Sequence, residues 1–187
     1  VYKRQMHILN SKKGTFFIAD TLINRHPDTE ALIDIARLSD HTVRFFNHEP
    51  VIAMMSYSNF GTDNTGSPAN VHKATEYMQQ QYPDLAIDGE MQVKFAMNDK
   101  LRDEKYPFTR LKGKVVNTLV FPNLTSANAS YQLLQAMNGD DMEIVGPIQM
   151  GLNKPIHFTD FESSVRDIVN ITAVAVIDAI VMKKKNK

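Results

Sequence analysis

The sequence contains no cysteine, which excludes a disulfide framework, a thiolate nucleophile and every zinc site built on sulfur. Such a chain fits a reducing compartment, and a cytoplasmic location is expected. It also carries no net charge: 21 Lys and Arg offset 21 Asp and Glu among 187 residues. Without a basic field there is no general hold on a phosphate backbone, so no nucleic-acid partner is expected. No run is long and apolar enough for a bilayer, which needs roughly 20 residues. The most apolar stretch, Ile171 to Met182, is interrupted by Asp178, and no signal-peptide pattern precedes the first charged residues. No membrane partner is expected. The six histidines lack any His-Glu-x-x-His or other paired spacing, so no metal site is expected within the chain. What is present, 43% apolar and 22% charged residues, is ordinary for one globular domain able to bury a core. The opening on Val1 reads as a piece of a longer protein.

Segments rich in β-branched and aromatic residues alternate with stretches of helical period, the pattern of a mostly parallel sheet wrapped by helices. Five strands are expected: Phe16 to Ala19, Val51 to Met55, Leu85 to Asp88, Val115 to Phe121 and Ile144 to Ile148. Between them, Leu32, Ile35, Ala36, Val43 and Phe46 recur at helical spacing and predict a helix from about Asp28 to Phe46. Pro68 opens a second helix through Val71, Ala74, Tyr77 and Met78. Gly89 to Asn98 reads as a short helix, and the charged run Lys100 to Lys105 as a solvated surface loop or helix end. Thr125 or Ser126 would cap a helix through Ala129, Leu133, Leu134 and Met137, ended by Asn138 and Gly139. Gly146 to Glu162 shows no period and reads as a long ordered loop. Ser164 and Asp167 then form a capping-box pattern before Ile168, Ile171, Val174, Ala175 and Ile177. That last helix is apolar nearly all round, which demands burial on more than one side. Lys183 to Lys187 reads as a frayed, solvated tail.

In an open parallel sheet, chemistry sits beyond the carboxyl ends of the strands. The loop Ser56-Tyr57-Ser58-Asn59-Phe60-Gly61 places two hydroxyls and an amide beside a glycine, suited either to turning the chain or to receiving an anion. It lacks the lysine and spacing of a phosphate-binding P-loop. Pro122-Asn123-Leu124-Thr125-Ser126-Ala127-Asn128 presents a helix N-terminus, where capping and anion binding both explain the polar residues. Lys154 stands between glycines and prolines in Gly151-Leu152-Asn153-Lys154-Pro155. Asp88 and Glu90 flank Gly89, as an acid–base pair or, more simply, as charges near a helix N-terminus. Ser56, Ser58, Asn59, Asn123, Asn128, Lys154 and Asp167 are the ligand-binding candidates.

Read in order, Ala19-Asp20-Thr21, Ser56-Tyr57-Ser58, Asp88-Gly89-Glu90-Met91-Gln92, Phe121-Pro122-Asn123-Leu124, Gly146-Pro147-Ile148, Gly151-Leu152-Asn153-Lys154-Pro155 and Asp167-Ile168-Val169-Asn170 resemble the carboxyl-terminal half of the phosphate acetyltransferase family. Ser58-Asn59-Phe60-Gly61 and Tyr106-Pro107-Phe108-Thr109-Arg110-Leu111 resemble one branch, the acetyltransferase-like domain fused to large bacterial NADP-dependent malic enzymes. The resemblance implies a three-layer, doubly wound α/β fold with a mostly parallel sheet, present here as an incomplete fragment. Residues 1–149 would form the second subdomain. Residues 150–187 would cross back, with the last helix, to a first subdomain whose remainder is absent.

The resemblance also assigns roles. Family members carry a serine–arginine pair after Lys-Pro: the arginine binds the phosphoryl group and the serine supports attack of the coenzyme A thiolate. Here those positions are Asp160 and Phe161, followed by Glu162, and a further family arginine is Ala136. A family aspartate persists as Asp167. Losing one preorganised donor costs about a hundred- to a thousandfold in rate, so no catalytic residue and no transferase activity are expected. The implied parent oxidatively decarboxylates malate to pyruvate with NADP and Mg or Mn, held outside this chain, which itself holds no cofactor. The implied partners are the preceding malic-enzyme region, the first subdomain, acetyl-coenzyme A as effector, and further copies in a homo-oligomer. An active phosphate acetyltransferase and a purely structural dimerisation module are the alternatives.

Overall fold

The computed structural model describes residues 4–20, 22–138 and 141–185. Strand β1 (Arg4–Ser11) turns back into β2 (Gly14–Ala19), and helix α1 (Thr29–Phe45) follows. Asp28 caps α1 by accepting a hydrogen bond from the Ala31 amide at 2.8 Å. Its buried face, Leu32, Ile35, Ala36, Ser39 and Val43, follows the periodicity of the sequence. Then come β3 (Val51–Met55), α2 (Gly66–Gln81), β4 (Ala86–Met91), α3 (Val93–Ala96), α4 (Asp99–Lys105), β5 (Thr118–Val120), α5 (Leu124–Asn138), β6 (Met142–Met150) and α6 (Val165–Lys185).

The six strands form one sheet in the order β4-β3-β5-β2-β1-β6. Neighbours from β4 to β2 run parallel, and β1 lies antiparallel to both β2 and β6. Hydrophobic clusters on the two faces complete three layers. On one face Leu32 and Ile35 of α1, Val71 and Met78 of α2, and Ile171 and Val174 of α6 pack with Met6, Ile52, Met54 and Ile148. On the other, Phe95 and Ala96 of α3 and Ala127 of α5 pack with Leu9, Ile18, Ala53 and Leu119. The doubly wound, mostly parallel α/β class holds.

Several expected elements differ. No strand is expected from residues 4–11, yet β1 pairs along both edges, and Arg4, Gln5 and His7 are buried within it, which composition does not disclose. The expected strand Val115 to Phe121 contracts to β5, leaving Val115 exposed. The expected helix from Gly89 starts only at Val93, because β4 continues along β3 through Met91. The charged run 100–105 is helical, one of the two expected forms, but it is not wholly solvated: Arg102 within it is completely buried. One Arg102 Nη2 donates to the carbonyls of Leu111 at 2.7 Å and Lys114 at 2.8 Å, filling acceptors of a segment that has no ladder partner. Asn123, not Thr125 or Ser126, caps α5 by accepting from the Ser126 amide at 2.9 Å. Gly139, expected to end that helix, lies outside the described residues, as does Thr21. The expected loop 146–162 begins only at Gly151, since Gly146 to Met150 belong to β6. Helix α6 continues through Lys185, so Lys183 and Lys184 stand near its C-terminus, where positive charge is favourable, rather than in a frayed tail, and Asn186 and Lys187 lie outside the described residues.

The capping box of α6 forms as its sequence predicts: Ser164 Oγ accepts from the Asp167 amide while the Asp167 carboxylate accepts from the Ser164 amide at 2.9 Å. Beyond Ile171 and Val174, the helix leaves Val165, Ile168, Val169, Val176, Ile177 and Ile180 exposed. An apolar surface of that kind favours association. Light scattering on the 187-residue chain at tens of micromolar is expected to report an oligomer, and a clean monomer mass would contradict it.

Gly89 sits at φ +143°, and a Cβ there would lie 2.5 Å from the Met54 carbonyl on the paired strand. Gly89→Ala is therefore expected to lower stability by about 2–5 kcal/mol, from backbone strain and overpacking together. A urea melt with an unchanged midpoint would refute this.

Candidate functional site

Polar residues gather in two places. At the carboxyl ends of β3 and β4, the completely buried Glu90 holds the loop that follows β3. Its Oε1 accepts from Ser58 Oγ at 2.9 Å and from the Gly61 amide at 2.7 Å, while Oε2 meets His72 Nδ1 at 2.9 Å. Asn59 Oδ1 accepts from the Gln92 amide at 2.9 Å, and Ser56 Oγ from the Ser58 amide at 3.2 Å. Beside it, Asp88 accepts from Thr109 Oγ1 at 2.6 Å, the Arg110 amide at 2.8 Å and Gln79 Nε2 at 3.0 Å. Both carboxylates lie within β4 and pin loops, in place of the expected charge complement to a helix. Ser58 and His72 bind the same carboxylate rather than each other, which is not the relay a nucleophilic serine requires.

The second gathering is a cavity of about 790 Å³ between β1, β6, α5 and the segment before α6. It brings together Ala136, Asp160, Glu162 and Asp167, from α5 and from the far end of the chain. Phe161 lies fully exposed and outside the cavity lining. Gln5 and His7 of β1 also line it, as does Tyr131 of α5. The His7 ring stacks on Tyr131 with centroids 4.2 Å apart. Gly146 permits that stack: at φ +149°, a Cβ on it would lie 2.6 Å from His7 Cδ2.

Asp160 Oδ1 accepts from the Glu162 amide at 3.0 Å and from Ser163 Oγ at 2.9 Å. Asp167 Oδ2 accepts from Ser164 Oγ at 2.7 Å. No lysine or arginine lines the cavity among the described residues. Burial pushes the His7 imidazole down to about 4, so it is neutral near pH 7. Burial also raises the Tyr131 phenol, and the charges of Asp160 and Asp167 raise it further. The field in the cavity is therefore negative.

The other sequence candidates are dispersed. Ser58 and Asn59 are buried in their loop, Asn123 caps α5, and Asn128 is half-buried on the same helix. Lys154 borders a separate cavity of about 450 Å³ between α1 and α6, with Arg37, His41, Asp40 and Asp178. There the buried His157 side chain accepts from the Gln149 amide through Nδ1 at 3.2 Å, and burial lowers its imidazole. Sequence reasoning missed Gln5, His7 and Tyr131; the one available signal was a polar residue alternating with Met6 and Ile8. Among the described residues, no three His, Asp or Glu come close enough to hold a metal ion, and no helix is long and apolar enough to cross a membrane.

A family model described as phosphate acetyl/butaryl transferase matches residues 4–176. The chain belongs to that family. It is 41% identical over 174 residues to the NADP-dependent malic enzyme of Salmonella typhimurium, covering 93% of this chain and 23% of that protein. It is 36% identical over 169 residues to the phosphate acetyltransferase of Clostridium acetobutylicum, covering 90% of this chain and 50% of the other. Among solved structures, a phosphotransacetylase from Streptococcus pyogenes superposes with a TM-score of 0.85 at 31% identity, over 98% of this chain and 55% of that one. The chain thus spans under a quarter of the malic enzyme and about half of the transferases. It resembles the carboxyl-terminal, phosphate-acetyltransferase-like part of NADP-dependent malic enzymes.

The buried, neutral His7 gives this phosphate acetyltransferase-family fold a pH dependence. The unfolded chain binds a proton on His7 near pH 6.5 and the folded chain only near 4, so stability falls as pH drops through that window. The loss is on the order of 3 kcal/mol at full development. His157 adds to it with the same sign. Urea melts between pH 7 and 4.5 are expected to show a shallower decline for His7→Phe than for the parent chain; parallel declines would refute it.

Proposed function

We propose that the chain is the regulatory and oligomer-building carboxyl-terminal region of an NADP-dependent malic enzyme, which senses acetyl-coenzyme A and transfers no acetyl group itself. The observation that carries this reading is the acidic cavity. Where the family resemblance calls for a serine and two arginines, the chain supplies Asp160, Phe161 and Ala136, with Glu162 alongside. A developing phosphate anion would meet carboxylates and no cation there, which opposes the stabilisation that acyl transfer to or from phosphate needs. An active transferase is disfavoured for that reason.

The parent enzyme would oxidatively decarboxylate malate to pyruvate in the cytoplasm with NADP and Mg or Mn, using residues outside this chain. The similarity to malic enzymes over 93% of the chain supports that setting. Residues 150–187 would cross to a first subdomain supplied by the rest of the gene product, and the exposed apolar side of α6 supports this. A large cofactor gains affinity over many contacts while chemistry depends on few, so binding can outlast catalysis. Ser56, Asn123, Asn128 and Lys154 are the groups proposed to meet acetyl-coenzyme A, with Ser58 and Asn59 shaping the loop and Asp167 orienting α6.

The full-length gene product is expected neither to consume the coenzyme A thiol with acetyl phosphate nor to release it from acetyl-coenzyme A with phosphate above a protein-free control. Acetyl-coenzyme A is expected to alter its malate oxidation, followed as NADPH, with a coupling of about 1–3 kcal/mol, roughly 5- to 150-fold in affinity. Removing residues 4–187 should abolish that response, and Asn128→Ala or Lys154→Ala should weaken it. A response that survives truncation overturns the sensor role. Calorimetry showing no acetyl-coenzyme A binding would leave a purely structural module.

A further inference from the structure

We infer that the acidic cavity between β1, β6, α5 and the segment before α6 is a binding site for a small linear polyamine, a molecule whose ammonium groups are separated by methylene runs. Three carboxylates, Asp160, Glu162 and Asp167, border one concave space with no Lys or Arg in its lining. The hydrogen bonds of Asp160 use Oδ1 and those of Asp167 use Oδ2, which leaves the second oxygen of each for a ligand.

An independent observation points the same way. Gln5, nine-tenths buried, lines this cavity, and its side-chain oxygen accepts no hydrogen bond. A buried acceptor without a donor is costly, and an ammonium group supplies the missing donor. The rest of the lining suits the methylenes between charges: Leu22, Ile144 and Pro147 are apolar, and the rings of Tyr131 and Phe158 line the same space. About 790 Å³ lies within the range of small-molecule sites. Burial first, and then the charges of Asp160 and Asp167, raise the Tyr131 phenol, in keeping with both carboxylates facing this space. Inorganic cations fit less well, since no three acidic or imidazole groups converge on one point among the described residues. Anionic ligands are repelled. The proposal does not rest on acetyl-coenzyme A sensing, whose proposed contacts lie in other loops and concern an anionic ligand, with Asp167 at the start of α6 the one residue common to both.

The test is calorimetry with spermidine and putrescine, on both the full-length gene product and the 187-residue chain, at physiological ionic strength. Saturable one-to-one binding is expected, with the triamine tighter than the diamine. Asp160→Asn with Glu162→Gln, which preserves shape and the Asp160 turn acceptor, should weaken spermidine by about tenfold or more. Glu104→Gln, an exposed acid on α4, should change nothing. Spermidine should also lower the titration of one phenol in ultraviolet difference spectra, a signal absent from Tyr131→Phe. Three results overturn the proposal: no saturation, equal weakening by Glu104→Gln, or binding by the 187-residue chain but not by the full-length product. The last would mean that the gene product fills the cavity with a basic side chain of its own.

Discussion

Backbone pairing along both edges of β1 is the constraint on which the second half of the architecture depends. β6 reaches the sheet only through β1, and the order β2-β1-β6 makes β1 the single antiparallel member of an otherwise parallel set. An interior strand alternates faces, so Met6 and Ile8 enter the core beneath α1 and α6 while His7 meets α5 on the opposite side. That placement puts a neutral imidazole against Tyr131 and brings the backbone at Gly146 directly over it. The cavity walls follow: β1 and β6 make its floor, α5 one side, and the segment leading into α6 the other.

Two groups of carboxylates show opposite economies. Asp88 and Glu90 are buried on β4 and surrounded by donors from α2 and from the loops that follow β3 and α4. A buried carboxylate is tolerated only with such partners, so these two define the loop conformations around them. Asp160, Glu162 and Asp167 take few donors, mostly from adjacent residues, and project negative potential into a concave space. The first pair holds structure together. The second set, with Asp160 and Glu162 exposed to solvent, shapes the charge of a cavity rather than the path of a loop.

Periodicity in the sequence was enough for α1, β3, α6 and the three-layer class, because each depends on apolar spacing and local caps such as Asp28 and the Ser164–Asp167 box. The family motifs were legible as well, and they identified Asp160, Phe161, Ala136 and Asp167 as family site positions. Asp160, Ala136 and Asp167 meet in one cavity, which is a tertiary fact, while Phe161 lies outside its lining. Gln5, His7 and Tyr131 were not legible: a polar residue in a strand looks solvated until its partners are known.

The same reason separates what the amino-acid order determined by itself from what only the folded chain decided. Composition, helical period, capping chemistry and the carboxylates standing at Asp160 and Glu162 are properties of neighbours along the chain. The burial of Arg102 under the carbonyls of Leu111 and Lys114, the insertion of β1 between β2 and β6, and the depressed basicity of His7 are not. They depend on donors, acceptors and apolar surface contributed from distant positions, and burial changes the chemistry of a polar group only once those distant parts have closed around it.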